Sequence, residues 1–209
     1  MTGMPKPAIT AMPEFYIERR VRVLSGPGNA DDKLRELLLS QLRDEPVYVL
    51  LGDPGAGKST ALWHEASINS DNKYLRAVTL LQGAALPENG VAFIDALDEA
   101  RLGGGDQNTP VNALLTRLRE KGLQRFRLSC REMDWYGDSD RASFEALLPK
   151  GGLAVATLLP FDEQDLNTLI SHEGEAGPAA FIHWARELGL DALLANPNTA
   201  KLLVKAKRQ

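Results

Sequence analysis

Hydrophobic and polar positions along the chain predict strands and helices that alternate up to about residue 160. The run Val47–Leu51 is wholly apolar, which is typical of a strand buried on both sides in a parallel sheet. Before it, apolar and polar residues alternate over Phe15–Val23, which predicts a half-buried strand. Four further short runs predict additional strands: Leu75–Leu81, Val91–Ile94, Arg125–Cys130 and Leu153–Leu159.

Apolar residues at helical spacing occupy the segments between these strands. They predict helices that begin at Asp31 or Asp32 and end near Arg43, and over Lys58–Asn69, Thr109–Lys121 and Ser143–Leu148. Thr109 is a suitable cap, Pro110 suits a first helical turn, and Gly122 ends that helix. The three consecutive glycines Gly103–Gly105 predict a flexible loop.

After Pro160 the pattern changes to helices alone. Three amphipathic segments follow with no strand between them: Asp162–His172, Pro178–Leu188 and Asn198–Lys207. We therefore expect residues 1–14 to be a loose tail, residues 15–160 an α/β domain, and residues 161–209 a small helical domain.

The clearest chemical motif follows the strand Val47–Leu51. The pattern G-x-x-x-x-G-K-[ST] is matched without a gap by Gly52, Asp53, Pro54, Gly55, Ala56, Gly57, Lys58 and Ser59, and Thr60 comes next. Its glycines let the backbone wrap a phosphate chain, and the helix that follows directs its positive end at the same oxygens. We predict that Lys58 bridges the β- and γ-phosphates and that the Ser59 hydroxyl helps to hold Mg²⁺.

An acidic cluster follows the strand that begins at Val91. Asp95 ends this strand, and Asp98 and Glu99 come three and four residues later. A carboxylate at this edge of the sheet can reach Mg²⁺, and a second one can orient the attacking water or accept its proton. The sequence leaves open whether Asp98 or Glu99 does this, with Glu99 slightly favoured. Taken alone, the cluster also fits an acidic loop that caps a helix.

The strand that begins at Arg125 ends in polar groups and is followed by Arg131. Because the carboxyl ends of parallel strands face the ligand crevice, Arg131 is predicted to contact the γ-phosphate. The alternative is a surface arginine paired with Glu132 or Asp134. Cys130 is expected to be a small buried residue, since no catalytic partner accompanies it.

Composition narrows the possible classes. The net charge of −4 argues against a protein that mainly coats nucleic acid, and a single cysteine excludes an internal disulfide. No apolar run approaches the length of a membrane span, and the first residues lack the apolar core of a signal peptide. We therefore expect a soluble, cytoplasmic protein that does not bind a membrane.

Several motifs together resemble the NACHT-type P-loop ATPases of the STAND class, which are related to AAA+ proteins. The segment Phe93–Glu99 is similar to the NACHT pattern, in which a small residue follows the first Asp and two further acids come three and four positions after it. Ser129–Arg131 resembles the segment after the fourth strand that carries the sensor arginine of that family, with Arg131 at the arginine position. Leu159–Asp165 resembles the junction to its helical lid, and Ala195–Pro197 is similar to the lid motif whose proline touches the base.

The resemblance implies a three-layer α/β P-loop NTPase sandwich with a five-stranded, mostly parallel sheet and a small C-terminal helical lid. It also implies the order of the five predicted strands across the sheet, which begin at Leu153, Val47, Arg125, Val91 and Leu75 in that spatial order. ATP or ADP and Mg²⁺ are the implied cofactors, with Mg²⁺ on Ser59 and Asp95 and the base near Pro197. Slow hydrolysis and homo-oligomerisation through the NTPase domain would serve signalling or defence, and the chain would be a fragment of a longer protein.

Two alternatives remain open at the level of sequence. A nucleotide-gated scaffold without turnover needs only the phosphate loop, so the motifs do not exclude it. An AAA+-type nucleic-acid motor is supported only by the basic end of the chain, Lys201–Arg208, and cations are expected at the C-terminus of any helix. Nucleic acid is therefore an unlikely partner.

Overall fold

The structure, a computed structural model, describes residues 15–26, 34–102, 109–148 and 152–208. Its described strands form one sheet. They are β1 Arg20–Ser25, β2 Arg35–Leu38, β3 Val47–Leu51, β4 Lys73–Arg76, β5 Ala92–Asp95, β6 Phe126–Cys130 and β7 Leu153–Leu158. Across the sheet they stand in the order β2-β1-β7-β3-β6-β5-β4.

The sheet is larger than the resemblance implies. The five strands β7-β3-β6-β5-β4 run parallel to their neighbours, in the order that was expected. The expectation of a five-stranded sheet is nevertheless wrong, because β1 and β2 add two antiparallel strands beside β7. The fold is therefore α/β with a seven-stranded mixed sheet.

The second strand replaces part of a predicted helix. Leu34, Leu37, Leu38 and Leu42 have helical spacing, but Arg35–Leu38 pairs with β1 and Leu39–Leu42 forms a single 3₁₀ turn. The paired edge satisfies backbone groups of β1, and Arg22 forms an ion pair with Glu36 across it at 2.7 Å. Asp31, Asp32 and the tail at 1–14 lie outside the described residues.

The described helices are mostly those predicted, with shifted bounds. They are α1 Lys58–Ser67, α2 Ala77–Leu81, α3 Leu97–Arg101, α4 Thr109–Glu120, α5 Gly137–Glu145, α6 Glu163–His172, α7 Pro178–Glu187, α8 Asp191–Leu194 and α9 Pro197–Lys207. The predicted strand Leu75–Leu81 is wrong beyond Arg76, where α2 begins. Ala77 and Leu80 are buried, three residues apart on one helical face. The predicted helix Ser143–Leu148 lies earlier, and α3 and α8 were not predicted. The glycine loop Gly103–Gly105 is outside the described residues.

The core lies on both faces of the sheet. In β3, Val47, Val49 and Leu51 pack into one apolar cluster, whereas Tyr48 and Leu50 pack into another. All five residues are buried because β3 has parallel neighbours on both sides and helices cover both faces. This central strand leads directly into the phosphate loop.

The helices after Pro160 form an apolar cluster of their own around Phe181 and Ile170. Phe15 and Ile17 pack against this cluster rather than forming the start of the first strand, so the predicted strand Phe15–Val23 is wrong in its first half. The division into residues 15–160 and 161–209 stays a prediction. Among the described residues, no helix is long and apolar enough to cross a bilayer.

Candidate functional site

The phosphate loop lies between the buried end of β3 and the first turn of α1. Gly55 and Gly57 have φ angles of 81° and 96°, in the left-handed region that favours glycine. The amide of Ala56 donates to the carbonyl of Asp53 at 3.1 Å, which closes the turn. The loop therefore has a backbone path that other residues would adopt only with strain.

Lys58 begins α1 and folds back over the loop. Its Nζ donates to the carbonyl oxygens of Gly52 at 2.6 Å and Asp53 at 3.0 Å. Burial lowers the pKa of Lys58, while the nearby carboxylates of Asp98 and Asp95 act in the opposite direction. The ammonium is thus held by the loop itself and lies close to the acidic cluster.

A cavity of about 280 Å³ opens in front of the loop and the α1 N-terminus. It brings together predicted residues from the loop with the lid proline. Its lining consists of Gly55, Gly57, Lys58, Ser59, Thr60, Pro197, Asn198 and Lys201. Asn198 and Lys201 had no sequence signal as site residues, since one follows the lid proline and the other belongs to the basic helix end.

Asp95 is buried at the end of β5, and hydroxyl groups contact both of its carboxylate oxygens. Tyr74 donates to Oδ2 at 2.5 Å, and Ser129 donates to Oδ1. Burial, followed by the charge of Asp95, raises the pKa of Tyr74 and keeps the phenol protonated. The Ser59 side chain also acts on the pKa of Tyr74, in the lowering direction, so this phenol lies near both predicted metal ligands. Sequence reasoning missed Tyr74 and Ser129, because each became significant only through pairing of strands.

Ala96 holds the chain in a strained conformation between Asp95 and α3. Its φ of 61° makes it the one non-glycine residue with positive φ in the described chain. Strained backbone of this kind tends to occur at functional sites. Ala96 is followed directly by α3, which carries Asp98 and Glu99.

Asp98 is buried and is held by Arg131. Its Oδ1 accepts from the backbone amide of Arg131 at 3.2 Å, and its Oδ2 lies 2.8 Å from Nε of the same residue. The Arg131 side chain remains 39% exposed. The alternative pairing of Arg131 with Glu132 or Asp134 is therefore not found.

Glu99 points elsewhere and pairs with Arg76, a residue at the end of β4 that the sequence did not suggest. Only Oε2 takes part, so Oε1 has no hydrogen-bond partner among the described residues. Arg76 and Glu99 are 28% and 27% exposed. Of the two candidate bases, Glu99 thus has the more accessible oxygen.

The other end of α3 is anchored in the interior. Arg101 donates to Asp140 Oδ1 at 2.6 Å and to the carbonyl of Asp134, and it stacks on the ring of Tyr136. The two charged side chains are only 4% and 2% exposed. This pair fixes the short helix that carries Asp98 and Glu99.

The segment before β1 completes the cleft. Arg19 is buried, donates to the carbonyls of Ala56 at 2.8 Å and Leu159 at 2.7 Å, and lies 4.3 Å from the centre of the Phe161 ring. A small cavity of about 70 Å³ adjoins the first one here, lined by residues of this segment, of the lid and of the start of α1, with Thr60 and Pro197 common to both cavities. Arg19 had no motif that could have indicated this role, and Phe161 belonged only to the junction motif Leu159–Asp165, which did not predict a contact with Arg19.

Asn196 joins the lid to the phosphate loop. Its Nδ2 donates to the carbonyl of Pro54 at 2.8 Å, while its Oδ1 caps α9 by accepting from the amide of Asn198 at 3.0 Å. Its side chain leaves little room at Gly55, where an added Cβ would lie 2.9 Å from Oδ1. The lid motif and the loop motif are therefore in direct contact.

The structure bears on two further expectations, and it confirms the burial of Cys130. Cys130 is buried, and burial raises its pKa to about 12. The basic end of the chain is largely paired within the lid, since Lys201 lies 3.6 Å from Glu173 and Lys207 lies 3.9 Å from Glu175. These pairs favour a structural role for the basic residues.

No protein-family model and no curated protein matches the chain. Among solved structures it is similar to the AAA domain of FIGL-1 in complex with ADP, at 17% identity and TM-score 0.40, over 63% of this chain and 49% of that one. It is also similar to C. elegans PCH-2, at 14% identity and TM-score 0.39, over 72% and 43% of the two chains.

The chain thus spans less than half the length of each of these two structures. Both TM-scores and identities are low, so the function proposed below rests on the geometry of the site itself.

Proposed function

We propose that the chain binds ATP or ADP at the carboxyl edge of its sheet and hydrolyses ATP. The observation that carries this proposal is the loop between β3 and α1, whose left-handed Gly55 and Gly57 lead into a cavity of about 280 Å³ at the α1 N-terminus. Backbone N–H groups and the positive end of a helix attract phosphate oxygens. Residues Gly52–Thr60 would hold the phosphates. On binding, the Lys58 ammonium would leave the carbonyl oxygens of Gly52 and Asp53 and donate to phosphate oxygens instead.

The remainder of the cleft suits a nucleoside. Phe161, Pro197 and the aliphatic part of Lys201 line the adjoining cavity of about 70 Å³. Apolar and aromatic walls with a few polar groups are typical of small-molecule sites. In this proposal the lid contacts the nucleoside through Pro197, while Asn196 keeps the lid on the loop.

The donor set also fits Mg²⁺. Ser59 and Asp95 supply a hydroxyl and a carboxylate, and both side chains act on the pKa of Tyr74, to whose hydroxyl Asp95 is hydrogen-bonded. No group of three His, Cys, Asp or Glu side chains among the described residues could hold a metal unaided. This suits Mg²⁺, which commonly binds one or two carboxylates and completes its shell with water and phosphate oxygens. When bound, the ion would neutralise charge on the phosphates.

For hydrolysis we propose Glu99 as the group that orients water, because it is accessible and has a free oxygen. Asp98 would instead hold Arg131 at the cleft, and Arg131 would contact the γ-phosphate. Both carboxylates are paired with arginines in this structure, but Arg76 contacts only Oε2 of Glu99, so Oε1 would act on the water.

The finer proposal is a switch module of a NACHT- or STAND-like signalling or defence protein. The resemblance of Phe93–Glu99, Ser129–Arg131 and Ala195–Pro197 to that family supports it, as does the contact between Asn196 and the loop. A lid that touches both nucleotide and loop can transmit the nucleotide state to the rest of the protein. Homo-oligomerisation through residues 15–160 belongs to the same proposal.

The proposal is tested by calorimetric titration of the purified chain with ATP and ADP, with and without Mg²⁺. We expect Lys58→Ala to weaken binding by about tenfold or more, because a charge-assisted contact is worth about 1.5–3 kcal/mol. Lys205→Ala is the matched control, since Lys205 is exposed on α9 away from the cavity lining. A folded wild-type chain that binds neither nucleotide, or a Lys58→Ala variant with unchanged affinity, would contradict the proposal.

A second candidate is a nucleotide-gated scaffold without turnover. The observation in its favour is that Glu99 and Asp98 are both engaged by arginines, as in a resting form. It predicts full nucleotide affinity but no phosphate release above the background of a Glu99→Gln variant.

A further inference from the structure

A second cavity of about 280 Å³ lies at the opposite, amino edge of the sheet. It is bounded by the end of α1 and by the starts of β5 and β6, so α1 runs from the phosphate loop to this cavity. Three arginines and one carboxylate supply the charged groups of its lining: Arg43, Arg125, Arg127 and Glu65. The proposed nucleotide site uses none of these residues.

The single carboxylate of this lining is fully occupied. Both oxygens of Glu65 accept from the guanidinium of Arg43, at 2.6 Å from Nε and 2.7 Å from Nη2. The Glu65 side chain is only 2% exposed. Glu65 therefore balances Arg43 and does not act as a hydrogen-bonded partner for the other two arginines.

Arg127 is a buried cation without an ion-pair partner among the described carboxylates. It is 2% exposed, donates to the carbonyls of Pro46 at 2.7 Å and Arg43 at 2.8 Å, and stacks over the ring of Tyr48. Burial lowers the pKa of Arg127, and the neighbouring charge of Arg125 acts in the same direction. Because buried charges in proteins are normally paired, a counter-ion here would be stabilising.

The polar groups that line this cavity and have no hydrogen-bond partner among the described residues are mainly donors. Arg125 is exposed and forms no hydrogen bond or ion pair within the described chain. Asn69 Oδ1 accepts from the amide of Asp71, and Asn72 Oδ1 accepts from the amide of Val91, both at 3.0 Å. Their Nδ2 groups are left to donate, in a cavity that already carries positive charge.

One effect opposes an anion at this edge, namely the negative end of the α1 dipole. It is equivalent to about half an elementary charge. The three guanidinium groups and the one carboxylate of the lining leave a net charge of about +2, and this charge outweighs the helix dipole. The charge of Glu65 and, less strongly, that of Glu45 raise the pKa of Arg127. The cavity is therefore electropositive overall.

We propose that this amino-edge cavity binds an oxyanion, carried by a phosphate or carboxylate group of a small molecule. The anion would accept from Arg125 and from the amides of Asn69 and Asn72, and it would compensate the buried charge of Arg127. The volume is at the lower end for small-molecule sites, which suits a compact anion. This site is independent of the proposed nucleotide site.

The test is calorimetric titration with inorganic phosphate and, separately, with succinate. Since phosphate can also enter the phosphate loop, Lys58→Ala protein is the starting chain. We expect one or both probes to bind, and the added change Arg125→Gln to weaken that binding by about tenfold or more. Arg125→Lys should retain part of the affinity through its charge. Arg119→Gln, which alters an exposed arginine on α4, should leave it unchanged.

Binding of phosphate alone would support a phosphorylated ligand, and binding of succinate alone a carboxylate ligand. The proposal is overturned if neither probe binds the folded chain, or if Arg125→Gln leaves both affinities unchanged. It is also overturned if the variant instead changes the oligomeric state in solution, since the cavity is then a contact between copies. Urea unfolding of each variant checks that the exposed substitutions preserve the fold.

Discussion

The carboxyl and amino edges of the sheet each have a cavity of about 280 Å³ and arginine–carboxylate pairs, but they differ in how far the carboxylates of those pairs are buried. At the carboxyl edge, Arg131 and Arg76 are 39% and 28% exposed, so each can leave its carboxylate. At the amino edge, Glu65 is 2% exposed and both of its oxygens are bonded to Arg43, while Arg127 is 2% exposed and hydrogen-bonds to backbone carbonyl oxygens. A carboxylate such as Glu99, at 27% exposure, can exchange its partner for water or a ligand, whereas the buried Glu65 keeps its partner in the folded protein.

The largest expected effect is on turnover at the carboxyl edge. We expect Glu99→Gln to lower the rate of ATP hydrolysis by about 100-fold or more, because an amide cannot accept the proton of the attacking water. Nucleotide affinity should stay within about twofold, since Glu99 is not part of the cavity lining. Phosphate release and calorimetry measure the two quantities. An unchanged rate would remove Glu99 from the reaction and direct attention to Asp98.

The buried ion pair between Arg101 and Asp140, near the same edge, should affect stability rather than turnover. We expect Asp140→Ala to lower the free energy of unfolding by about 3–5 kcal/mol, because it leaves Arg101 charged and buried. Urea denaturation measures this. Glu145→Ala is the control, since the Arg141–Glu145 pair is exposed and should cost at most about 0.5 kcal/mol. Equal costs for the two variants would show that burial does not separate the two kinds of pair.

Substitutions of Asn196 test whether the contact between the lid and the phosphate loop affects stability alone or nucleotide binding as well. Asn196→Ala removes both the α9 cap and the bond to Pro54, and should lower the free energy of unfolding by about 1–2 kcal/mol. Asn196→Asp keeps a good cap but brings a carboxylate to the phosphate loop, so it should weaken ATP binding with a smaller loss of stability. Unfolding and calorimetry distinguish the two variants. If Asn196→Asp binds ATP normally, the lid contact is purely structural.

The smallest expected effect is at the amino edge. Glu65→Gln keeps one acceptor for Arg43 but removes the charge, and should lower the free energy of unfolding by about 1 kcal/mol, because Arg43 is 44% exposed and partly hydrated. Glu36→Gln in the exposed Arg22–Glu36 pair is the control and should cost less. Nucleotide affinity should not change in either variant. A change in affinity would mean that α1 couples the two edges.

The local sequence predicted an element correctly where contacts between residues close in the chain determine its structure. The buried run Val47–Leu51, the loop Gly52–Ser59 and the helices at Thr109–Glu120 and Pro178–Glu187 follow from short-range patterns. It failed at Arg35–Leu38, where pairing with β1 outweighed helical spacing. It also failed after Arg76, where an apolar run continued as the helix α2.

The sequence by itself therefore determined the phosphate loop, the acids Asp95, Asp98 and Glu99, and the alternation of strands and helices, because these depend on residues adjacent in the chain. Only the tertiary structure decided that Tyr74 donates to Asp95, and that Arg76 and Arg131 hold the other two acids. It also decided that Asn196 contacts the phosphate loop across 142 positions of sequence. Such contacts are set by strand order and packing, which bring together side chains that no local pattern relates.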